Sequence, residues 1–518
     1  MNFCATNVSR RTFMAASLAS GLLLPMSRSL AQSDPAPKKG GRLRVGLGAG
    51  SARDNLDAKG ATTEADMARQ NNIYDTLLTW SPEYKLEPSL AETVEPSESA
   101  KVWTIKLRKG VVFHHGKALT SKDVAHTLRY IVDPKNPGAA AARLGQLDES
   151  SIEAVDDLTL RVRFKTPFSI FPEVLAEAGS AGVRIIPEDY DPAKPVGTGA
   201  FKLQSFDPGV RSLFVKNENY WREGQPFIDE LEMINLIDDA ARVNALLSGQ
   251  VDAIASLPAN QLRIFEPNSQ FKVINSDTGA WNALSMNTQL PPFNDVRVRQ
   301  AMRLLINRPQ MVKQVLSGQG VVANDLFGRF DPGYAKNIPQ REVDVDQAKS
   351  LLKKAGQEGL TMELVTSPLS IGMVTMCEAF VQQASLGGVT LKLRQVDPST
   401  YWSQIWMKAP VGMDYWAARN YLTQAADCML PSSPYNDTFW KNDRWLKIVN
   451  EAFAEQDDAK RAELISAAQH IEHDEGGYMI WGFYNRIDGV HSKVQGLSAD
   501  RSGISFNSYS FRRAWLAA

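Results

Sequence analysis

The chain has 518 residues, of which 43% are apolar and 22% are charged, and its 57 Lys and Arg nearly balance its 58 Asp and Glu. This composition excludes an intrinsically disordered chain, a collagen-like protein and a small disulfide-rich scaffold, and the length predicts about two to four domains. The absence of a basic excess argues against a dedicated nucleic-acid binder, and three cysteines cannot build a four-thiolate metal site.

The first segment of the chain has the features of an export signal. Arg10 and Arg11 lie in the run SRRTFM, the apolar stretch Met14–Leu24 follows, and small residues precede a cleavage site after Ala31. The pattern resembles a twin-arginine signal; the alternative is an ordinary secretory signal in which the two arginines are a coincidence. We therefore expect residues 1–31 to be removed and the mature protein to be periplasmic.

Two strands and a helix between them are indicated in the first third of the chain. Apolar and polar residues alternate over 103–107 and again over 158–164, which is typical of half-buried strands. Thr120 and Asp123 have the spacing of a capping box, and Pro134 ends the helical pattern that follows them.

Three further helices are marked by their ends. One leads to Gly249, one begins at Asp295, and one begins at Asp346 and closes at Gly356. Strands alternating with helices in this way predict an α/β fold class.

Motifs for cofactor or metal chemistry are incomplete. The pair Gly46 and Gly48 lacks the third glycine of a dinucleotide loop, and the loop 110–117 has the wrong length for a phosphate-binding loop. His470 and His473 share one face of a predicted helix, but a solvated acidic face explains them better than a metal site. We expect no cofactor, no metal and no catalytic residue.

Aromatic residues concentrate in one stretch, which holds five of the 11 tryptophans. Aromatic walls with a few polar groups are typical of small-molecule pockets, although large aromatics also build cores, so we expect about half to be structural. Arg419, Asn420 and Asp427 supply polar groups there. The aromatic residues are Tyr401, Trp402, Trp406, Tyr415, Trp416, Tyr421, Tyr435, Trp440 and Trp445.

Four ordered blocks resemble one family over nearly the whole mature chain. The longest spans 74–128 and contains KGVVFHHGKALTSKDVAHTL; the others are PVGTGAFKL (195–203), ARVNALLSGQVDAI (241–254) and NDVRVRQAMRLLINR (294–308). On these blocks the chain is identified as a member of the solute-binding proteins of bacterial ABC transporters, in the family that includes dipeptide-, oligopeptide- and nickel-binding proteins.

The resemblance implies two α/β lobes around a ligand cleft, the type II periplasmic-binding fold, with an extra α/β domain on the first lobe. After the signal, lobe 1 is expected to comprise 32–72, 190–283 and 488–518. The extra domain is expected at 73–189 and lobe 2 at 284–487.

The implied function is capture of a small solute by lobe closure and delivery to a membrane permease of the ABC importer. The protein is then a monomer without enzymatic activity. A true peptide or nickel-chelate receptor of the same fold is the first alternative. A periplasmic hydrolase or cofactor enzyme is the alternative of another class.

The chain departs from the family at residue 419. Dipeptide-binding members resemble Trp-x-Gly-Asp where this chain has Trp416-Ala-Ala-Arg419, and their aspartate pairs with the ligand's ammonium. An arginine takes a carboxylate bidentately and repels an ammonium, so we expect an acidic ligand without a free N-terminal amine. An opine-like conjugate, another organic acid or a modified peptide fits. The alternative is that Arg419 only pairs with Asp427 or Asp414.

The remaining candidate ligand contacts follow from the same resemblance. Trp281 and Asn282 lie on a strand that enters the second lobe, and Trp416 is expected to be an aromatic wall. Tyr401 and Trp402 are further candidates. Whether Cys377 and Cys428 form a disulfide cannot be read from their spacing.

Overall fold

A computed structural model describes residues 36–517 of the chain. The predicted signal, 1–31, lies outside these residues. The described part is mixed α/β, as predicted. None of its helices is both long enough and apolar enough to cross a bilayer.

Strands and helices alternate along most of the described chain. The strands are β1 (Arg42–Leu47), β2 (Leu78–Trp80), β3 (Leu86–Pro88), β4 (Ala91–Ser97), β5 (Val102–Leu107), β6 (Glu153–Asp156), β7 (Thr159–Arg163), β8 (Phe201–Asp207), β9 (Arg211–Lys216), β10 (Glu230–Asn235), β11 (Ala253–Ile254), β12 (Phe271–Ser276), β13 (Trp281–Met286), β14 (Gly320–Val322), β15 (Thr361–Thr366), β16 (Thr390–Gln395), β17 (Val411–Trp416), β18 (Tyr478–Tyr484), β19 (Arg486–His491), β20 (Val494–Gln495) and β21 (Trp515–Leu516). The right-handed helices are α1 (Glu64–Ile73), α2 (Ser121–Val132), α3 (Phe171–Ala176), α4 (Asp239–Leu247), α5 (Leu262–Phe265), α6 (Val296–Leu305), α7 (Arg308–Val315), α8 (Val345–Lys354), α9 (Met373–Leu386), α10 (Pro398–Thr400), α11 (Tyr421–Cys428), α12 (Asp443–Ala454) and α13 (Asp458–Glu475).

A seven-stranded sheet gathers the first strand, strands from the middle of the chain and one strand near its end. Its order is β12-β19-β11-β1-β10-β9-β8. β1 is parallel to both of its neighbours, β10 and β11, and the other pairs are antiparallel. The sheet is covered by α1 and α4, whose buried faces supply Ala65, Ala68 and Leu246 to the core.

A second, antiparallel sheet has the order β14-β18-β13-β17. All seven residues of β18 and all six of β13 are buried, because these strands are covered on both faces. The parallel pair β15 and β16 and the helices α6 to α9 complete this core.

A third sheet, β4-β5-β7-β6, is built within residues 91–163. Its hydrophobic core is continuous with side chains of α11 and α12. Phe168 stacks on Phe453 with ring centroids 6.4 Å apart, and Ser169 N donates to Phe453 O. This part of the chain is therefore packed against the helices that follow β17.

The helix ends follow their capping residues. Asp123 accepts from the backbone N of Thr120 at 2.8 Å, and Asp295 accepts from Arg297 N, as the sequence predicts. The predicted start of α8 at Asp346 is wrong: Asp344 is the cap and accepts from Gln347 N at 2.8 Å. Two acids stand two residues apart, and only the first has the extended backbone that a cap requires.

Candidate functional site

A cleft with a volume of about 930 Å³ is lined by side chains from all three parts of the fold. The seven-stranded part contributes Glu64, Arg242 and Arg486, the third sheet's part contributes Arg143 and Glu177, and the segment after β15 contributes residues between 368 and 435. This volume lies within the range of pockets for small molecules. The aromatic and charged side chains of that segment include Trp402, Trp406, Asp414, Trp416, Arg419, Asp427 and Tyr435.

Four aromatic rings form one wall of the cleft. Trp402 and Trp406 meet edge to face with centroids 5.3 Å apart, Trp406 lies 6.1 Å from Tyr435, and Tyr435 lies 5.9 Å from Trp416. Trp402 is 39% exposed and Tyr435 is 42% exposed, although large aromatic side chains are usually more buried. The wall therefore offers apolar surface that nothing in the described chain covers.

Arg143 holds two carboxylates of the cleft in a buried ion-pair cluster. Its Nε and Nη2 donate to Asp427 at 2.7 and 2.9 Å, and its Nη1 donates to Glu177 at 3.1 Å. Burial alone would raise the pKa of Glu177, but the charges of Arg419 and Arg143 lower it to about 2. Glu177 therefore stays ionised at any pH near neutral.

The other carboxylates lining the described cleft are also engaged. Glu64 pairs with Arg486 at 2.8 Å and Asp239 pairs with Arg242 at 2.5 Å. Burial and the charge of the neighbouring Asp437 raise the pKa of Asp414 well above its usual value. Burial thus favours the neutral form of Asp414.

Arg419 differs from the other three arginines of the cleft. Arg143, Arg242 and Arg486 each donate hydrogen bonds from Nε, Nη1 and Nη2. The Arg419 side chain is only 8% exposed, yet its Nε and Nη1 have no hydrogen-bond partner in the described chain. The guanidinium stacks over the Trp416 ring, with Cζ 4.9 Å from its centroid.

The sequence left open that Arg419 only pairs with a neighbouring acid, and the structure shows such a contact with Asp427. The Nε of Arg419 lies 3.2 Å from an oxygen of Asp427 and 3.6 Å from one of Glu177. Neither contact has hydrogen-bond geometry, and both carboxylates accept hydrogen bonds from Arg143. Asp414 makes no ion pair with it among the described residues.

Two of the candidate contacts, Trp281 and Asn282, lie behind the cleft in β13. Trp281 is 1% exposed and stacks on Phe327 with centroids 5.9 Å apart. Asn282 Nδ2 donates to the carbonyl of Ile371, a cleft-lining residue, at 2.6 Å. Asn282 therefore contacts the wall of the cleft from behind, Trp281 packs in the hydrophobic core, and neither is among the described lining residues.

Tyr401 and Asn420 are also directed away from the cleft. The Tyr401 hydroxyl donates to Met413 O at 3.0 Å and accepts from Met413 N. Asn420 donates to Glu173 Oε1 at 3.0 Å. The structure therefore brings Trp402, Trp416, Arg419 and Asp427 together in the cleft and places the other four candidates behind it.

Four charged residues of the cleft, Arg143, Glu177, Glu64 and Arg486, were not predicted from the sequence. They are isolated charges far from residues 401–445, so no spacing connects them. One signal was available for Arg143 and Glu177: each is a single charge in a run of small apolar residues, AAARLG and LAEAG. A lone charge in such a context is rarely buried without a partner.

A family model described as "Bacterial extracellular solute-binding proteins, family 5 Middle" matches residues 85–438, more than half of the chain. Among curated proteins, the glutathione-binding protein GsiB of Escherichia coli (strain K12) is 26% identical over 449 residues. That alignment covers 82% of this chain and 86% of GsiB.

Two solved structures share the architecture. MoaA from A. tumefaciens R10, solved with mannopinic acid, is 25% identical with a TM-score of 0.74, covering 93% of this chain and 100% of its own. DppA from Helicobacter pylori, solved with the peptide STSA, is 24% identical with a TM-score of 0.79, covering 93% and 99%. The two-lobed α/β fold implied by the sequence blocks is thereby confirmed.

Proposed function

The chain belongs to the bacterial extracellular solute-binding proteins of family 5, and from this premise we propose that it captures a small solute that carries a carboxylate. The solute binds in the cleft and is passed to the permease subunits of an ABC importer. Contacts with both lobes favour the closed arrangement over the open one, and this difference drives closure. No bond is made or broken in this function, so the protein needs no catalytic residue.

The observation that carries the proposal is the guanidinium of Arg419, whose Nε and Nη1 donate no hydrogen bond within the described chain although Asp427 and Glu177 lie nearby. A buried charged donor without a partner is costly, and a bidentate carboxylate supplies two charge-assisted hydrogen bonds. Three other arginines of the cleft are already saturated by the chain. Arg419 is therefore the cation available to a ligand.

The charge pattern of the cleft also argues against a ligand with a free N-terminal ammonium. Glu177 and Asp427 are held by Arg143, Glu64 by Arg486, and Asp239 by Arg242. Asp414 favours its neutral form. None of these carboxylates is left over to receive an ammonium group.

The aromatic wall suggests the rest of the ligand. Rings of Trp402, Trp406, Trp416 and Tyr435 can pack against a sugar-like chain or an apolar group next to the carboxylate. An opine-like conjugate or an N-substituted peptide has both parts. The likeness to MoaA, whose structure holds mannopinic acid, supports the opine-like class.

A peptide or nickel-chelate receptor of the same fold is the second candidate. GsiB is named for glutathione, and DppA was solved with a peptide. This candidate requires that a cleft carboxylate be freed from its arginine when the ligand enters.

Export and domain boundaries complete the proposal. The twin-arginine signal at 1–31 delivers a monomer to the periplasm. We propose for lobe 1, the extra domain and lobe 2 the same boundaries that the sequence blocks imply. In support, the chain leaves the seven-stranded sheet after Ser276 and returns to it at Arg486, within a few residues of the expected 283 and 488.

Thermal unfolding of the purified protein against matched compounds tests the ligand class. The set is a dipeptide, its N-acetyl form, the N-acetyl form with a C-terminal amide, mannopinic acid and a nickel–histidine chelate. A ligand at a hundred times its Kd stabilises the folded state by about 2.7 kcal/mol. We expect stabilisation by compounds that have a carboxylate and no free N-terminal amine, and none by the amide. Stabilisation by the free dipeptide above its N-acetyl form would favour the second candidate.

A further inference from the structure

A second cavity, of about 60 Å³, lies outside the cleft. It lies between the end of α1 with the chain after it, the segment around Ala178 and residues 507–512, and it is partly open to solvent. Asn507 and Ser508, in its wall, belong to a left-handed turn, with φ of +52° and +58°. No residue lines both this cavity and the cleft.

Three arginines line this cavity without an ion pair. Arg184, Arg222 and Arg512 have no carboxylate within 4.0 Å in the described chain, whereas all four arginines of the described cleft do. Each has one buried nitrogen with no hydrogen-bond partner among residues 36–517: Nη1 of Arg184, Nε of Arg222 and Nε of Arg512. Arg184 is only 1% exposed.

The acceptors that the chain does offer these arginines are neutral. Arg184 donates to the amide oxygen of Asn71 at 2.9 Å and to the carbonyl of Gly179 at 2.8 Å. Arg222 stacks on the Trp221 ring, with Cζ 4.2 Å from the centroid. Arg512 donates to the hydroxyl of Ser510.

The local charge is positive. Asp75 is the one carboxylate among the described lining residues, and its oxygens accept from Tyr220, Thr198 and Trp221. Burial and the charge of Arg512 lower the pKa of Arg222. Arg512 and Arg222 thus repel each other, and the three arginines exceed the carboxylate among the described lining residues by two positive charges.

We infer that this cavity binds one small multivalent oxyanion of the phosphate or sulfate kind. The guanidinium fork matches the oxygens of such an anion, and two negative charges balance the excess of the three arginines over Asp75. The space of about 60 Å³ is large enough for one tetrahedral anion, and water molecules that fill it would not neutralise the charge. This site is independent of the solute bound in the cleft.

Calorimetric titration of the purified protein with inorganic phosphate tests the site, in chloride buffer at fixed ionic strength. We expect saturable binding of one phosphate per chain and competition by sulfate. Arg222→Gln and Arg512→Gln should each weaken phosphate binding at least tenfold, because each removes a charged donor. The control Arg263→Gln removes an exposed charge on α5 and should leave the affinity unchanged.

The Arg419→Ala variant separates this site from the cleft. It should bind phosphate like the unaltered protein, and loss of binding there would place the anion in the cleft and overturn the inference. The absence of saturable phosphate binding to the unaltered protein would also overturn it. That measurement does not depend on whether the Arg222 and Arg512 variants fold. Equal phosphate affinity in these two variants and in the Arg263 control would contradict it as well.

Discussion

Arg143 and Arg419 lie beside the same two carboxylates, yet only Arg143 hydrogen-bonds to them. The orientation of the two guanidinium groups explains the difference, because Arg143 donates to both oxygens of Asp427 and to one oxygen of Glu177. Arg143 therefore stabilises the cleft, whereas Arg419 keeps donors without a hydrogen bond in the described chain, which is why we propose it as the ligand contact.

Arg143→Ala is expected to destabilise the protein by about 3–5 kcal/mol, because it leaves Asp427 and Glu177 buried with one weakly placed counter-charge. Urea unfolding of the variant measures this loss. Arg211→Ala, which removes a 64% exposed side chain on β9, is the matched control and should change the free energy of unfolding by less than about 0.5 kcal/mol. Equal free energies of unfolding for the two variants would contradict the proposal that Arg143 stabilises the folded protein.

The two described cysteines are separate and buried. Cys377 Sγ lies 3.2 Å from the sulfur of Met413, and Cys428 Sγ donates to Gln424 O. Burial raises the pKa of Cys377 to about 12, and burial also raises the pKa of Cys428 well above its usual value. Cys377 on α9 and Cys428 on α11 therefore do not form a disulfide in this structure, which their spacing in the sequence could not decide.

Neither thiol is therefore expected to react with a thiol reagent in the native protein at pH 8. Both should react once the protein is denatured without reductant. Mass spectrometry of the labelled chain checks this. Labelling of Cys377 or Cys428 in the native state would show exposure that the structure lacks, and failure to label after denaturation would show a disulfide.

Residue roles in the cleft were only partly predictable from sequence. Local spacing placed Trp402, Trp416, Arg419 and Asp427 in one stretch, and they do share the cleft. The sequence could not show that Trp281 and Tyr401 are buried core residues and not ligand contacts, because burial depends on what packs over a strand or turn. Arg143 could not be found beside Asp427, since 284 residues separate them in the chain.

At the scale of elements, α3 and α11 are joined through one part-buried carboxylate. Glu173 on α3 accepts from Asn420 Nδ2 at 3.0 Å and from the hydroxyl of Thr423. Burial raises the pKa of Glu173 to about 7. The folded state therefore holds this proton more tightly than the unfolded chain does.

The protonated Glu173 contributes to the free energy of unfolding. This contribution is fully present below the pKa of the unfolded chain, near 4.5, and is lost as the pH rises through the folded pKa of about 7. Glu173→Gln removes the charge and keeps an acceptor oxygen. We expect the variant to be more stable than the unaltered protein at pH 8, by about 1–3 kcal/mol, and to lose this advantage at pH 4.5. Urea unfolding at both pH values checks it, and a constant difference between them would contradict the assignment.

Helices were predictable where a single acid precedes an apolar stripe. Asp295 is such a case, and α6 begins beside it. Asp344 and Asp346 offered two starts for α8, and backbone conformation chose between them. The sequence shows which residues can cap a helix. The backbone conformation of the preceding loop determines which of them does so.

At the scale of the whole molecule, the α/β class and the two lobes followed from ordered sequence blocks, but the strand order did not. β19 pairs with β12 across more than 200 residues, and β1 lies between β11 and β10. Such pairings depend on which sheet edges are still unpaired after the other strands have paired. The cleft lies among parts of the fold that local patterns cannot bring together.

The most direct test of the carboxylate proposal is a calorimetric titration of the best-stabilising acid into the unaltered protein and into Arg419→Ala. Charge-assisted hydrogen bonds contribute about 1.5–3 kcal/mol, so we expect the variant to bind about 10- to 150-fold more weakly, with Arg211→Ala binding normally. An Arg419→Ala protein that keeps full affinity would show that the ligand never meets this guanidinium and would contradict the account.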